Sequence, residues 1–460
     1  MNTSNWKDIN LPYGKIFLEI KVPPYCDILK MKYVPALKDP REKVENALSN
    51  PIGSRSLEDI VTSYGKDPSR ITVAIAVSDN TRPVPYGGER EDGILLPLFR
   101  RLKKIGVKTK NIKIIVATGT HLPTSNEWKE EAFGEFIKNN YDIIDHDCTS
   151  PDLCHLDSID GVRVKINRQF LEADMRIITG LVEPHFMGGV SGGRKTICPG
   201  LINMETTYVF HSEEFMDNPN ATNMVIEGNP CHNFALKVAR KARVDFSINV
   251  TLNDKEELTG VFAGDLEEAH LEAAKKIREY CLISVDHEYD IVLTQGGSVA
   301  VNHYQAAKAA YGVIPIIKRG GIVILVAHNS DEEPIGKADY KKAIEVLKEK
   351  GPGRFTEFIK SRNWQFIPDQ WQVQKWDQFF SKIGAFGRLI YCTTNINPED
   401  LKKLPGKSGY DFVEEGNINL GKMLQNAIFY AIEKMKQKVK QEPKMALVRE
   451  GPYAVPVISL

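Results

Sequence analysis

Residues 183–200, EPHFMGGVSGGRKTICPG, combine residue types that bind anions with residue types that move protons. His185 precedes Lys195 by ten residues, and His211 follows sixteen residues after the lysine. A glycine-rich backbone ahead of a helix exposes N–H groups that bind anions, and a lysine adds positive charge. Imidazole exchanges protons near neutral pH and ligates metals. The spacing matches neither the P-loop nor the GxGxxG pattern, so a standard nucleotide site is not indicated.

Lys195 has more than one chemical interpretation. It is either a counter-charge for a phosphate or a covalent anchor for a cofactor, and His211 could ligate a metal. The alternative, a solvated lysine at a helix start, is less attractive because a cation is disfavoured there without an anion. Four glycines permit close approach of the backbone to a ligand: Gly188, Gly189, Gly192 and Gly193.

Two further polar motifs directly follow apolar runs. Asp79 and Arg82 lie in SDNTRP, and His121 ends TGTH. Arg82 offers a planar fork of donors for a carboxylate or phosphate, and Asp79 can orient a donor such as a histidine. His121 suits general acid–base chemistry. The alternatives are a turn closed by a structural salt bridge and a histidine hydrogen-bonded in a loop.

The fourth polar motif is GGSVAVNHYQAAKAA, in which a glycine turn leads into a predicted helix. Gln305 and Lys308 are three residues apart, and Tyr304 and Lys308 are four apart, so the three side chains share a helix face. They would offer hydrogen bonds and a positive charge to a small anionic substrate. The alternative is an ordinary amphipathic helix with a solvated lysine.

Alternating apolar and helical segments must position these motifs. Continuous β-branched runs separated by helical stretches are typical of parallel sheets covered on both faces. We therefore expect an α/β fold of two α/β domains with mainly parallel sheets covered by helices. Ligands bind beyond the carboxyl ends of strands in such sheets, where the polar motifs fall. The apolar runs lie at 70–83, 111–121, 174–185, 289–298, 320–330 and 387–395.

The predicted domain boundary follows a long helical stretch near residue 280. An N-terminal domain, 1–273, would carry the glycine-rich loop, and a C-terminal domain, 284–440, would carry the substrate-binding helix. The apolar tail, 441–460, would pack back on the body. Segment 331–381 is rich in proline, glycine and aromatic residues and predicts an irregular or helical excursion near a cleft.

Composition excludes several classes of protein. Lys+Arg and Asp+Glu each number 60, so the chain lacks the basic balance that nucleic-acid binding requires. No apolar run approaches the roughly 20 residues that span a bilayer. The start is polar, and the seven cysteines are scattered without a CxxC pair. We expect a cytoplasmic protein with reduced thiols that binds neither nucleic acid nor membrane.

In type and order, these motifs resemble the nickel-dependent lactate racemase family and its 2-hydroxyacid racemase and epimerase homologues. The motifs that carry the resemblance are DNTRPVP, TGTH, EPHFMGGVSGGRK, FHS and GGSVAVNHYQAAKAA. The similarity covers most of the chain. It implies an isomerase whose active site lies in the interdomain cleft.

The resemblance also implies an unusual cofactor. This is a nickel-pincer nucleotide, a pyridinium-3,5-bisthiocarboxylic acid mononucleotide that holds nickel through two sulfurs and a ring carbon. By motif position it is covalently attached to Lys195, and His211 supplies the remaining nickel ligand. The four loop glycines would cradle the nucleotide, and Trp371 would pack near it.

The implied mechanism removes the proton of the 2-hydroxyl and transfers a hydride reversibly to the cofactor. His121 and His185 would be the opposed bases for the two enantiomers, with Asp79 supporting proton transfer. A racemase needs one base on each side of the substrate, which fits two imidazoles. The substrate-binding residues matched by position are Arg82, Tyr304, Gln305 and Lys308.

Alternatives to a 2-hydroxyacid racemase or epimerase stay open at this stage. They are a non-catalytic carrier of the nickel-pincer cofactor and a redox or lyase enzyme that uses it. The substrate could be lactate, a longer or aromatic 2-hydroxy acid, a dicarboxylic acid or a sugar acid. The enzymes that synthesise the cofactor are the expected protein partners.

Overall fold

The computed structural model of the chain describes residues 3–87, 93–361, 364–414 and 416–459. Two compact units emerge. The central unit is Tyr33–Tyr280, and the terminal unit combines Met1–Lys32 with Cys281–Leu460. The first 32 residues therefore group with the second half of the chain, whereas the predicted division assigned them to the N-terminal domain.

Strands are numbered in chain order through the described residues. They are β1 Lys7–Tyr13, β2 Ile16–Val22, β3 Asp27–Leu29, β4 Val73–Ser78, β5 Ile112–Ala117, β6 Asp142–Asp145, β7 Cys154–Ile159, β8 Val162–Ile166, β9 Met175–Leu181, β10 Pro184–His185, β11 Gly189–Val190, β12 Phe246–Leu252, β13 Leu258–Gly264, β14 Leu282–Val285, β15 Tyr289–Gln295, β16 Ile317–Val326, β17 Leu389–Cys392, β18 Lys407–Ser408, β19 Met445–Val448 and β20 Val455–Ile458.

Helices are numbered in the same way. They are α1 Pro40–Ser49, α2 Leu57–Ser63, α3 Leu95–Ile105, α4 Asn126–Asn140, α5 Arg168–Leu171, α6 Met204–Phe210, α7 Glu213–Asp217, α8 Pro230–Lys241, α9 Glu268–Cys281, α10 His303–Gly312, α11 Ala338–Lys350, α12 Phe355–Ile359, α13 Gln370–Ile383, α14 Pro398–Lys403 and α15 Leu420–Val439. Short 3₁₀ segments lie at Pro68–Arg70, Thr109–Asn111, Gly193–Thr196, Phe386–Arg388 and Gly409–Phe412.

The central unit is built on a six-stranded sheet in the order β13-β12-β9-β4-β5-β6. All neighbours are parallel except β12 and β13, which are antiparallel. The chain runs from β4 to β5 on one side and returns to β9 on the other, so the strand order reverses beside β4. Ligand sites of open α/β sheets form at such a reversal, beyond the carboxyl ends of the strands.

Apolar periodicity explains how helices cover this sheet. Leu95, Leu98, Phe99 and Leu102 recur on one face of α3 and are buried in the same core as the apolar side chains of β4. Each such burial stabilises the fold by roughly 1.5–3 kcal/mol. The helix ends where Gly106 adopts the left-handed conformation, with φ 109°.

The terminal unit is built on a second six-stranded sheet, in the order β18-β17-β16-β15-β19-β3. All five pairings are parallel. β19, from the predicted tail, lies between β15 and β3, so segments near the two ends of the chain pair as neighbouring strands. β20 pairs with β14 in a separate two-stranded sheet. Met423, Leu424, Ala427 and Ile428 on α15 belong to the core of this unit.

The predicted fold class is confirmed: both large sheets are mainly parallel and are accompanied by helices. The predicted excursion 331–381 contains α11, α12 and α13, and its residues 362 and 363 lie outside the described part of the chain. All seven cysteines are free thiols. Among the described residues, no helix has the length and apolar character to cross a membrane. The predicted domain limits and interdomain active site stay predictions.

Candidate active site

Asp79 and His121 form a hydrogen-bonded pair beyond the ends of β4 and β5. Nδ1 of His121 lies 2.5 Å from Oδ2 of Asp79. An ionised carboxylate only accepts hydrogen bonds, so the ring proton lies on Nδ1 and Nε2 of neutral His121 carries a lone pair. The Asp79 side chain is 6% exposed and that of His121 is 47% exposed. A buried carboxylate thus orients an accessible imidazole.

Hydrogen bonds keep Asp79 ionised despite its burial. Burial raises the pKa of this carboxyl, but the contributions of His121 and Thr81 outweigh it, and the pKa lies below its usual value. Thr81 donates to Oδ1 of Asp79 from its hydroxyl at 2.6 Å and from its backbone N–H at 3.1 Å. The pair predicted from SDNTRP and TGTH therefore has the chemistry of a positioned general base.

Arg82 is paired with an acid that the sequence analysis did not assign. Its Nε lies 3.0 Å from Oε1 of Glu183, and one terminal nitrogen donates to the Thr81 carbonyl at 2.8 Å. The side chains of Arg82 and Glu183 are 16% and 14% exposed. The signal for Glu183 was present in the motif EPH, an acid beside a candidate catalytic histidine. Some of the guanidinium N–H donors of Arg82 are thus already bound to groups of the protein.

His185 lies in a tight hairpin of its own. β10 pairs with β11, with His185 opposite Gly189. In the turn between them, the backbone N–H groups of Met187 and Gly188 lie 3.3 and 3.1 Å from Nδ1 of His185. Backbone N–H groups can only donate, so this nitrogen accepts. The ring is therefore held by the backbone of its own turn.

Gly188 lies between two predicted functional side chains. A Cβ at this position would be 3.4 Å from Cδ of Lys195 and 3.8 Å from Nδ1 of His185. Positive φ angles and close packing within the chain require glycine at the other three positions. Gly189, for example, has φ 78°, and a Cβ there would lie 2.1 Å from the Val225 carbonyl oxygen. Their predicted role in cofactor binding stays a prediction.

Gly192 and Gly193 are confined by neighbouring side chains. A Cβ on Gly192 would lie 2.8 Å from Cγ2 of Val182, and one on Gly193 would lie 2.7 Å from Cδ2 of His270. The Gly193 N–H donates to Oδ1 of Asn249, on β12, at 2.9 Å. Close packing against β12 and α9 thus shapes this half of the loop.

Arg194 holds the loop together and was missed by sequence reasoning. The residue is 1% exposed. One terminal nitrogen donates to the carbonyls of Gly188 at 2.7 Å and Val190 at 2.9 Å, and the other lies 2.7 Å from Nε2 of His270. Burial lowers the pKa of Arg194 to about 9. His270 is buried, and its Nε2 also lies 2.9 Å from the Ser191 carbonyl oxygen.

Lys195 lies in the short helical segment Gly193–Thr196 at the end of this loop. Its Nζ lies 4.9 Å from the centre of the Phe210 ring. Among the described residues, the amine has no hydrogen bond or ion pair. Burial, followed by the positive charges of Arg194 and Arg82, lowers the pKa of Lys195 to about 7. The amine is therefore substantially neutral near neutral pH.

His211 follows α6 and has a fixed tautomer. Its Nδ1 lies 3.0 Å from the Thr207 carbonyl oxygen, which accepts, so the proton is on Nδ1 and the lone pair is on Nε2. Burial, followed by the charge of Lys195, lowers the pKa of His211 to about 3. A neutral imidazole with its other nitrogen hydrogen-bonded to a carbonyl is the usual form of a metal-binding histidine.

The residues predicted from GGSVAVNHYQAAKAA lie on α10 of the terminal unit. The Tyr304 hydroxyl accepts a hydrogen bond from the indole N–H of Trp371 at 2.9 Å. Burial, followed by the charge of Asp369, raises the pKa of Tyr304 well above its usual value. Trp371, on α13, was predicted to pack near the cofactor. Its indole nitrogen binds Tyr304, a predicted substrate residue, and its role near the cofactor stays a prediction.

Gln305 and Lys308 lie one turn apart on α10. The Gln305 N–H donates to the capping Asn302 side chain at 2.9 Å. Its side-chain Oε1 is buried without a hydrogen-bond partner among the described residues. An unsatisfied buried acceptor costs free energy, roughly 1–3 kcal/mol, so it is a natural place for a ligand donor.

The central unit brings six predicted residues into one neighbourhood. Asp79, Arg82, His121 and His185 follow the ends of β4, β5 and β9, while Lys195 and His211 are electrostatically coupled to this group. Tyr304, Gln305, Lys308 and Trp371 belong to the terminal unit. Among the described residues, no group of three or more His, Cys, Asp or Glu could hold a metal ion. The assignment of His211 as the single protein ligand of a nickel site stays a prediction.

Known proteins are similar to this chain in sequence. The profile of the lactate racemase N-terminal domain matches residues 13–223. The chain is 32% identical over 406 residues to a lactate racemase of Thermoanaerobacterium thermosaccharolyticum, covering 86% of this chain and 90% of that protein. It is 32% identical over 455 residues to a lactate racemase of Lactiplantibacillus plantarum, covering 96% and 98%.

Solved structures match the fold over nearly the whole chain. The lactate racemase apoprotein of T. thermosaccharolyticum has a TM-score of 0.82 at 27% identity and covers 99% of this chain and 100% of that one. A Thermotoga maritima protein, with a TM-score of 0.63 at 16% identity and coverage of 93% and 100%, shares the fold. The expected isomerase activity is confirmed: the chain is a racemase. Both its sequence and its fold therefore show that it belongs to the lactate racemase family.

Proposed function

We propose that the chain racemises lactate or a related small 2-hydroxy acid, using a nickel-pincer nucleotide attached to Lys195. The observation that carries this proposal is that two suitable groups of the central unit interact electrostatically, Lys195 and His211. Lys195 is a half-buried amine without an acidic partner among the described residues, and His211 is a neutral imidazole with a fixed tautomer. One suits covalent attachment and the other suits metal ligation.

The environment of Lys195 fits a covalent anchor. A nucleophilic amine must be neutral, and a pKa of about 7 keeps much of it neutral at physiological pH. Arg194 and Arg82 add positive charge nearby without neutralising the amine. Buried cations of this kind favour an anionic ligand, such as the phosphate of a nucleotide.

The environment of His211 fits a nickel ligand. Imidazole is a suitable ligand for nickel, and it must be neutral to bind. A pKa of about 3 ensures neutrality, and the Thr207 carbonyl orients the ring with its lone pair on Nε2. The cofactor supplies the remaining ligands in this proposal, which is why one protein ligand is enough. Nickel-dependent chemistry also fits the family.

His121 has the geometry of a general base in the proposed reaction. Asp79 holds its Nδ1–H, so Nε2 accepts the 2-hydroxyl proton of the substrate and Asp79 stabilises the imidazolium that results. When bound, the cofactor would supply a reversible acceptor for the hydride on the carbon that bears this hydroxyl. His185 is proposed as the corresponding group for the second enantiomer.

Substrate binding is proposed to use four residues. Arg82 and Lys308 supply positive charge for the carboxylate, and Gln305 supplies a buried acceptor for a donor on the substrate. The relatives named lactate racemase make lactate the first substrate to test. Tyr304 would line the pocket, although Trp371 already occupies its hydroxyl.

The proposal is tested by producing the chain together with the enzymes that synthesise the cofactor. Intact-mass measurement should show an adduct that maps to Lys195, and the loaded protein should racemise each lactate enantiomer. Lys195→Arg keeps a long side chain that ends in nitrogen but cannot form the attachment, so it should lose both the adduct and the activity. Lys255→Arg, at an exposed lysine, should retain both.

Two results would reject this assignment. One is full activity with an unmodified protein mass, and the other is an adduct that persists in Lys195→Arg. If lactate fails while the adduct is present, a panel of enantiopure longer, aromatic, dicarboxylic and sugar 2-hydroxy acids identifies the substrate. A non-catalytic carrier is disfavoured by the Asp79–His121 pair, for which a carrier has no use.

A further inference from the structure

His121 and His185 make opposite hydrogen bonds through the same ring atom. Nδ1 of His121 faces Oδ2 of Asp79, an acceptor, at 2.5 Å. Nδ1 of His185 faces two backbone donors, the N–H groups of Met187 and Gly188, at 3.3 and 3.1 Å. A neutral imidazole carries one proton, and the partner of Nδ1 decides which nitrogen holds it.

We propose that the protein holds these histidines as opposite neutral tautomers, His121 with its proton on Nδ1 and His185 with its proton on Nε2. The environments of both rings are built into the fold. Asp79 is 4% exposed and is itself fixed by two hydrogen bonds from Thr81. The donors to His185 belong to the turn between β10 and β11.

Arg194 fixes the turn that faces His185. Its guanidinium donates to the Gly188 and Val190 carbonyls. The peptide group that carries the Gly188 N–H is held through the Met187 carbonyl, which accepts a hydrogen bond from Nδ2 of Asn229 at 2.9 Å. Arg194 and Asn229 thus both hold the backbone of this turn.

The two tautomers make the histidines unequal in proton transfer. Nε2 of His121 has a lone pair and can accept a proton directly. Nε2 of His185 carries a hydrogen, so it donates a hydrogen bond. Nε2 can accept a proton only after the ring has changed tautomer: the hydrogen leaves Nε2, a proton binds Nδ1, and the Met187 and Gly188 N–H bonds to Nδ1 are lost. One enantiomer therefore meets a histidine that can accept its proton directly, and the other meets a histidine that must first change tautomer.

This inference rests on the proposed function for the reaction that it describes, but the tautomers can be measured without cofactor. Two other histidines provide internal references. Nε2 of His146 lies 3.0 Å from the Ile202 carbonyl oxygen, so His146 is protonated on Nε2. Nδ1 of His211 lies 3.0 Å from the Thr207 carbonyl oxygen, so His211 is protonated on Nδ1. Each ring has one required form.

The test is long-range ¹H–¹⁵N NMR of the full-length apoprotein labelled with ¹⁵N-histidine, at alkaline pH where imidazoles are neutral. His121→Gln and His185→Gln each delete one set of signals and so assign it. We expect His121 to share the pattern of His211, and His185 to share that of His146. The same tautomer for both, or the reverse assignment, overturns the inference.

Asp79→Asn tests the cause of the His121 tautomer. The amide can place an N–H toward Nδ1, so the His121 signals should lose the pure Nδ1–H pattern while those of His185 stay unchanged. An unchanged His121 pattern contradicts the role given to Asp79. The His146 and His211 signals in the same spectrum report whether the variant is folded. A failed tautomer test leaves the Lys195 adduct unaffected, so the two proposals fail separately.

Discussion

The two compact units supply different kinds of chemistry. In the central unit, hydrogen bonds and burial set protonation states: Asp79 orients His121, Thr207 orients His211, and burial keeps Lys195 substantially neutral. In the terminal unit, α10 presents an unsatisfied amide oxygen on Gln305 and a Tyr304 hydroxyl tied to Trp371. The first arrangement suits proton and metal chemistry, and the second suits recognition.

This contrast divides the predicted site residues into two proposed functional classes. Substitutions in the central unit should change the rate of the chemical step or the attachment of cofactor. Substitutions on α10 and α13 should change mainly substrate affinity. Separate measurements of kcat, KM and adduct content therefore test whether the two units differ in this way.

His121→Gln should lower kcat more than the substitutions on α10 and α13 do. Removing a positioned general base lowers kcat by about 10²–10⁴-fold. Nickel content should be unchanged, because His211 and Lys195 are intact. The measurement is turnover of both enantiomers with metal analysis of the same sample.

His155→Gln is the matched control, since this exposed histidine lies outside the candidate site. It should retain the kcat of the unsubstituted protein. Loss of nickel in His121→Gln would contradict the assignment of His121 to proton transfer and place it with the metal-binding groups.

The rate of cofactor attachment should depend on pH through Lys195. Attack requires the neutral amine, so protonation inhibits it as the pH falls below the pKa. With a pKa of about 7, the rate should drop about tenfold per pH unit below 7 and level off above it. A time course of intact mass across a pH series measures this. A rate that keeps rising toward 10.5 would indicate an ordinary exposed lysine.

The chemistry at strand ends was predictable because it is local in sequence. A buried strand followed by SDNTRP, and another followed by TGTH, place Asp79 and His121 at the same sheet edge if β4 and β5 are parallel neighbours. The structure has that pairing. Hydrophobic runs indicate where the two strands end. A connection through a helix favours parallel pairing of consecutive strands. The Asp79–His121 contact then follows from proximity.

Contacts between distant or unremarkable residues were not predictable in this way. Arg194 precedes the conspicuous Lys195, and only the three-dimensional course of the loop reveals the carbonyls that it binds. The pairing of β3 with β19 joins segments from opposite ends of the chain, whereas the predicted division placed residues 1–32 in the N-terminal domain. Parallel pairing leaves no local turn signal from which to infer it.

Gln305→Leu should separate recognition from chemistry. The buried Oε1 has no partner among the described residues, so an apolar side chain of similar size should cost little stability. Loss of a substrate hydrogen bond of about 1.4 kcal/mol raises KM about tenfold. The value of kcat should change much less. Steady-state kinetics and thermal unfolding measure both effects.

Gln441→Leu, at an exposed glutamine of the same unit, is the control and should leave KM unchanged. If Gln305→Leu lowers kcat as severely as His121→Gln, the division between a chemical and a recognition unit is wrong. If it destabilises the protein strongly, Oε1 has a structural partner after all.

Trp371→Phe should have the smallest effect, because it removes only one donor while retaining an aromatic ring. The Tyr304 hydroxyl loses the indole N–H bond, which lowers the free energy of unfolding by about 1 kcal/mol. Tyr304 stays packed against Tyr340, with ring centres 5.3 Å apart, so its position should shift little. We therefore expect KM to rise about two- to fivefold, well below the tenfold that one full substrate hydrogen bond is worth. Intact-mass analysis decides between the two assignments of Trp371. Full adduct content supports its role beside Tyr304, whereas a large loss of adduct would return it to the cofactor site predicted from sequence.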